Sequence, residues 1–196
     1  MNIDWSSVHQ LQVQETLSKL LERHPAVFRD ELGTAKDIVA TLQVDPAVAP
    51  KFYKARPVSF AMHQKVETEL DRLQATGVIE PVKYSSWAAP VVPVTKQDGT
   101  VRLCGDFKLT LNKAARPDIY PLPHIDELFA TLGGGQTFSK LDLSHAYQQL
   151  MLLEESKDYT TINTHKGLFR FTRLPFGTSA APAIFQRVME FVKRYT

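Results

Sequence analysis

The chain predicts an α+β fold. Apolar residues recur at helical spacing in some stretches and at alternate positions in others. The strand candidates come as hairpins and short runs, not in one-to-one alternation with helices as a parallel α/β sheet requires. At 196 residues, with 43% hydrophobic and 22% charged side chains, the chain has ordinary globular composition. It is long enough for one sizeable core with or without a dependent extension.

Residues 1–50 read as a small separate unit. Asp4 or Ser6 can cap a helix running to Arg23, along which Val8, Leu11, Leu17, Leu20 and Leu21 recur at roughly helical spacing. His24-Pro25 ends it. From Asp37 to Val44 the residues Ile38, Ala40, Leu42 and Val44 share one parity, a half-buried strand pattern. Pro46 and Pro50 mark a linker.

Past residue 50, Val66, Leu70 and Leu73 define one helix face that Gly77 can stop. Ala88 to Thr95 is apolar and β-branched, and its Pro90 and Pro93 predict an edge or irregular strand. Asp98-Gly99 is a hairpin signal, with Val101, Leu103 and Gly105 on one side of the returning strand. Pro121-Leu122-Pro123 leads into a short helix, Ile125 to Leu132, closed by Gly133-Gly134-Gly135. Thr137 to Asp142, Leu150 to Leu153, Thr160 to Thr164 and Leu168 to Thr172 are strand candidates. Pro175-Phe176-Gly177 is a breaker. Ser179 can cap a last helix with Ile184, Phe185, Val188, Met189 and Val192 on its buried side. No internal repeat or low-complexity segment interrupts this order.

Composition narrows the function classes. Lys and Arg total 23 against 21 for Asp and Glu, so the net charge is +2, which neither requires nor excludes a polyanionic partner. The single cysteine, Cys104, rules out an internal disulfide and a Cys-based zinc cluster. The first residues lack a basic segment followed by an apolar run, and no apolar stretch approaches the ~18 residues of a membrane span. The expectation is an intracellular protein with no membrane partner. The run Gly133-Gly134-Gly135 is no phosphate loop, because it follows a helix and lacks both the Gly-x-Gly-x-x-Gly spacing and the Lys-Ser/Thr.

Three stretches can carry chemistry. In Phe138-Ser139-Lys140-Leu141-Asp142-Leu143-Ser144-His145-Ala146-Tyr147, an apolar run ends in one acid, and an aromatic follows five residues later. A carboxylate fixed at a strand end can hold a hard divalent cation that keeps positions open for phosphates. The same Asp142 can equally cap the following turn. In Leu174 to Gln186, a glycine-containing loop opens onto a helix. That is either an approach route for an anionic ligand or an ordinary capped helix. Around the Asp98-Gly99 turn, Lys96 and Arg102 can face a polyphosphate or merely be solvated.

Taken together and in order, these stretches resemble the reverse transcriptases of gypsy-type LTR retrotransposons, relatives of the retroviral enzymes. The resemblance is carried by Ser85-Ser86-Trp87-Ala88-Ala89-Pro90-Val91-Val92, Arg102-Leu103-Cys104-Gly105-Asp106-Phe107, Tyr120-Pro121-Leu122-Pro123, Lys140 to Tyr147, and Leu174-Pro175-Phe176-Gly177 through Gln186. It covers about residues 50–196. Residues 1–50 are similar, more weakly, to the connector between protease and polymerase. Gly105 stands where Val is more usual, and Lys108 where Arg is commoner.

The resemblance implies a right-hand polymerase fold, fingers and partial palm only, with a small N-terminal extension. Fingers would be 58–116 and 150–180, palm 117–149 and 181–196. It implies RNA-directed DNA synthesis on an RNA or DNA template with primer, from deoxynucleoside triphosphates, with two Mg²⁺ ions. Asp142 falls on the catalytic metal ligand, joined by the backbone carbonyl of Leu143. Lys96, Arg102, His145, Ala146, Tyr147 and Phe176 fall on nucleotide-binding positions, and Asp106 and Gly177 on template-contacting ones. Tyr147 would crowd the sugar 2′ position and exclude ribonucleotides. The sequence reaches Thr196 without the family's Tyr/Phe-x-Asp-Asp hairpin, thumb or RNase H. One carboxylate cannot hold two divalent ions against their repulsion, so the isolated chain is expected not to polymerise. Its expected partner is the remainder of the Pol polyprotein, and its expected location the cytoplasm or virus-like particles. The competing expectation is a non-catalytic nucleic-acid-binding remnant of a retroelement, with salt-dependent affinity.

Overall fold

A computed structural model describes residues 17–29, 31–116, 120, 121, 123–138, 140 and 142–195, with side chains to residue 192. Two compact units divide between Glu31 and Leu32. In the first, residues 17–23 are helical, with Leu17, Leu20 and Leu21 about half exposed. The earlier part of the helix expected from Asp4 or Ser6 lies outside the described residues.

The second unit begins before the boundary that the sequence suggests near residue 50. The alternating run supplies the reason. Strand β1 (Val39–Ala40) forms a parallel ladder with a later segment, Met151–Leu152, and Val44 bridges Ala115. Ala40 and Leu42 are buried in the main core, as their shared parity predicts.

Helix α1 (Phe60–Ala75) buries Val66, Leu70 and Leu73, each at 1–3% exposure. Each such burial contributes about 1.5–3 kcal/mol. At the helix end, Gly77 takes φ 65°, which lets the Val78 N–H reach back to the Leu73 carbonyl at 2.8 Å. Then come β2 (Ile79–Val82), β3 (Ala89–Thr95) and β4 (Val101–Gly105). Short helices α2 (Leu111–Ala114) and α3 (Ile125–Thr131) follow, then a 3₁₀ turn (Ala146–Gln149) and β5 (Met151–Leu152). Next are α4 (Glu154–Lys157), a second 3₁₀ turn (Asp158–Thr160), β6 (Ile162–Thr164), β7 (Gly167–Phe171) and the closing helix α5 (Ala181–Tyr195).

The main sheet has the order β2-β7-β6-β3-β4. Strand β3 is not a simple edge. Ala89 and Pro90 pair parallel with β6, and Val91–Thr95 then pair antiparallel with β4. The strand changes partner at Pro90, whose carbonyl still accepts from the Asp106 N–H at 2.9 Å, and such an irregular strand tolerates residues without an N–H. Strand β2 lacks the expected signals because Pro81 interrupts it, yet Ile79–Val82 pair fully with β7. The chain mixes helices with a largely antiparallel sheet, as the composition of its elements predicts.

One expectation fails and another is only partly covered. Of the strand expected at Thr137 to Asp142, Ser139 and Leu141 lie outside the described residues, and Thr137, Phe138, Lys140 and Asp142 carry no strand assignment. On α5, Ala181, Ala183 and Ile184 are buried and Phe185 and Val188 pack on the core. Val192 is 42% exposed rather than buried.

Candidate functional site

The β3–β4 turn is locked locally. The Asp98 carboxylate accepts from the Thr100 N–H at 2.8 Å and its hydroxyl at 2.6 Å, and Gly99 takes φ 78°. These bonds hold the Asp98 carboxyl below its ordinary range. Lys96 and Arg102 therefore leave the turn from fixed positions, with Arg102 opposite Val94 in the ladder. Lys65 on α1 donates to the Gly99 carbonyl at 3.0 Å and ties the hairpin tip to the helix.

The turn at Ala146–Gln149 starts from His145, which sits in the left-handed region at φ 51°. Arg173 braces it from behind. One guanidinium nitrogen donates to the carbonyls of Gln148 (2.9 Å) and Gly33 (3.0 Å), and the other to the Thr34 hydroxyl. Burial lowers the pKa of Arg173.

The loop Leu174 to Ser179 is clamped by Asn112. Its Nδ2 donates to the Gly177 carbonyl at 2.8 Å, and its Oδ1 accepts from the Ser179 N–H at 2.9 Å. Gly177 has φ 90° and lies against the Gly105 carbonyl. Gly105, the departure noted in the sequence, has its own cause. A Cβ there would lie 2.7 Å from the Phe107 ring and 3.0 Å from Ile162.

These three loops meet. A cavity of about 190 Å³ is lined by Lys96 and Arg102 from the hairpin, His145 from the turn and Phe176 from the loop. Gln148, Cys104 and the α1 residues Glu69 and Arg72 complete its polar wall. Glu69 and Arg72 form a bidentate pair, with Nε–Oε2 2.6 Å and Nη2–Oε1 2.8 Å. This pairing raises the pKa of Arg72, so it stays charged. The ring of Tyr147 packs beside the cavity lining, 5.1 Å from Phe176 and 5.4 Å from Phe185 between centroids.

Other expected residues lie apart. Ala146 and Tyr147 adjoin His145 but do not line the cavity. Asp106 is ion-paired to Arg56 at 2.6 Å. Asp142 and Leu143 are exposed and outside the lining. Among the described residues no cluster of three His, Cys, Asp or Glu could hold a metal. One carboxylate and a carbonyl suit an ion that shares a substrate's phosphates, but not a pair of ions. A second cavity, about 470 Å³ between β1 and α5, holds none of the expected site residues.

Sequence reading missed Glu69, Arg72, Asn112 and Arg56. The first two carry one available signal, opposite charges at i,i+3 on a helix. Nothing in the sequence ties Asn112 to residue 177.

Known proteins match this chain. The family described as reverse transcriptase (RNA-dependent DNA polymerase) matches residues 94–195, which include Lys96, Arg102, His145 and Phe176. The chain belongs to the reverse transcriptase family. The uncharacterized protein K02A2.6 of Caenorhabditis elegans is 40% identical over 190 residues, covering 93% of this chain and 15% of that protein. The retrovirus-related Pol polyprotein from transposon opus of Drosophila melanogaster is 34% identical over 196 residues, covering 95% and 19%. The chain thus spans under a fifth of these relatives. Among solved structures, the prototype foamy virus protease-reverse transcriptase superposes with a TM-score of 0.82 at 23% identity, over 93% of this chain and 25% of that one. The foamy viral protease-reverse transcriptase in complex with RNA/DNA hybrid gives 0.72 at 21%, over 92% and 24%. The fold is therefore the reverse transcriptase polymerase fold in part, and the chain is a reverse transcriptase segment of the retroviral and retrotransposon Pol type. No described helix is long and apolar enough to cross a membrane.

Proposed function

We propose that this reverse transcriptase segment is the nucleotide-holding part of a gypsy-type RNA-directed DNA polymerase. Residues 51–196 act as fingers and incomplete palm, and residues 1–50 as the connector toward a protease. The carrying observation is the convergence of Lys96, Arg102, His145 and Phe176, from three separate loops, on one cavity. At about 190 Å³ it is smaller than the roughly 300–1,000 Å³ of a pocket for a whole small ligand. It suits the triphosphate tail of a deoxynucleotide, with sugar and base outside. Lys96 and Arg102 neutralise the phosphates, and the backbone N–H groups of His145 and Ala146 support them. Tyr147, wedged between Phe176 and Phe185, is the rigid aromatic that screens the 2′ position. Asp142 and the Leu143 carbonyl would hold Mg²⁺, which supplies Lewis-acid stabilisation of phosphate charge when bound. Gly177, beside the cavity, faces the template, and Asp106 joins it once freed from Arg56. In the longer Pol polyprotein the segment would work on a primed RNA or DNA template, in the cytoplasm or in virus-like particles.

Titration of the 196-residue chain with a deoxynucleoside triphosphate and Mg²⁺ tests this. Binding should weaken about tenfold in Lys96→Gln or Arg102→Gln, the loss of one charge-assisted contact. Primer extension by the same chain should be absent, because it presents one carboxylate. Mg²⁺-dependent synthesis that disappears in Asp142→Asn would overturn that part.

A further inference from the structure

Helix α1 puts a third cation into the cavity wall. Arg72 and Glu69 lie outside the stretch that matches the family, yet they share the lining with Lys96 and Arg102. Their pair is asymmetric. The Arg72 side chain is 46% exposed and the Glu69 side chain 12%. The carboxylate is the sheltered anchor and the guanidinium the accessible end. The anchor engages Nε and Nη2, and Nη1 has no hydrogen bond among the described residues. An arginine fixed along one edge keeps its fork in place and loses little rotamer freedom when it meets a phosphate. The Lys65 bond to the Gly99 carbonyl ties the helix that carries Arg72 to the hairpin that carries Lys96 and Arg102.

Charge decides what the pair does. The lining carries Lys96, Arg102 and Arg72 against Glu69, a surplus that suits a polyanion. Without Arg72, Glu69 would face that polyanion unmasked.

We propose that Arg72 is a third phosphate-binding residue of this cavity, tethered by Glu69, and that it grips the outer phosphates of a polyphosphate. The proposal rests on the reading of the cavity as a triphosphate site. Glu69 has the complementary effect: its charge limits how tightly the cavity holds a polyanion, which favours release of the pyrophosphate product.

The test is titration of the whole 196-residue chain with inorganic tripolyphosphate, with thermal unfolding of each variant alongside. Arg72→Gln should weaken binding about tenfold with little change in melting temperature. Glu69→Gln should tighten it severalfold. A pair that only braces the helix leaves the affinity unchanged in both. Wild-type affinity in Arg72→Gln beside clear loss in Arg102→Gln overturns the role of Arg72 and leaves the cavity as a phosphate site. Wild-type affinity in Arg72→Gln, Lys96→Gln and Arg102→Gln together, or no binding by the unmodified chain, overturns the cavity reading itself. Should Arg72→Gln fail to fold, Arg72→Lys keeps the charge and loses the fork. Unchanged affinity in that variant counts against the proposal, and weakening supports it.

Discussion

The cavity walls and the stretch around Asp142 both carry family motifs, but they are held by very different amounts of structure. Behind the cavity, Phe107, Leu70 and Ile162 are at most 1% exposed, and Asn112 and Arg173 fasten the loops from the rear. In the segment that leads to Asp142 and just past it, Ile125 is 68% exposed, Phe129 66%, Phe138 60% and Leu143 45%, and helix α3 buries no residue. The proposed phosphate-binding residues thus stand on loops and strand ends backed by a packed sheet, while the metal-binding candidate stands on a surface that the described residues do not cover. Preorganisation of a site comes from the packing behind it, not from the motif.

The contrast can be broken most forcefully at Phe107. Its ring fills the core, stacks edge-on against Phe171 and fills the space over Gly105. Phe107→Ala should destabilise the chain by about 3–5 kcal/mol in urea unfolding. A loss below about 1 kcal/mol would mean that the cavity has no rigid backing. Gly105→Val comes next. The added branch meets Phe107 and Ile162, and overpacking of this kind costs about 1–3 kcal/mol. The displaced Phe107 should also shift the Gly177 loop, so polyphosphate affinity should fall along with stability. Affinity that holds while stability falls would separate loop from core. The smallest effect is expected at Phe129. Phe129→Ser should change unfolding by no more than about 0.5 kcal/mol, as for an exposed site with no packing partner among the described residues. A larger loss would show that α3 is covered and that the contrast is overstated.

Much of the packed region is legible in the sequence because its signals are local. Val66, Leu70 and Leu73 announce the buried face of α1. The Asp98-Gly99 pair announces a turn that the Thr100 bonds complete. The alternation at Ala40 and Leu42 is also correct, and Leu150 to Leu153 reads as a strand by itself, but nothing local says that these two distant stretches pair with each other. Strand β2 is hidden by Pro81.

At the candidate site, the sequence by itself determined the family and the residues able to carry charge to a phosphate, because motif order and residue chemistry are properties of the chain. Only the tertiary structure decided that Lys96, Arg102, His145 and Phe176 share one cavity, that Arg72 joins them, and that Asp106 is taken up by Arg56. Such convergence depends on long-range pairing and on side chains that meet across loops. Those are set by how the core closes, which no short window of sequence contains.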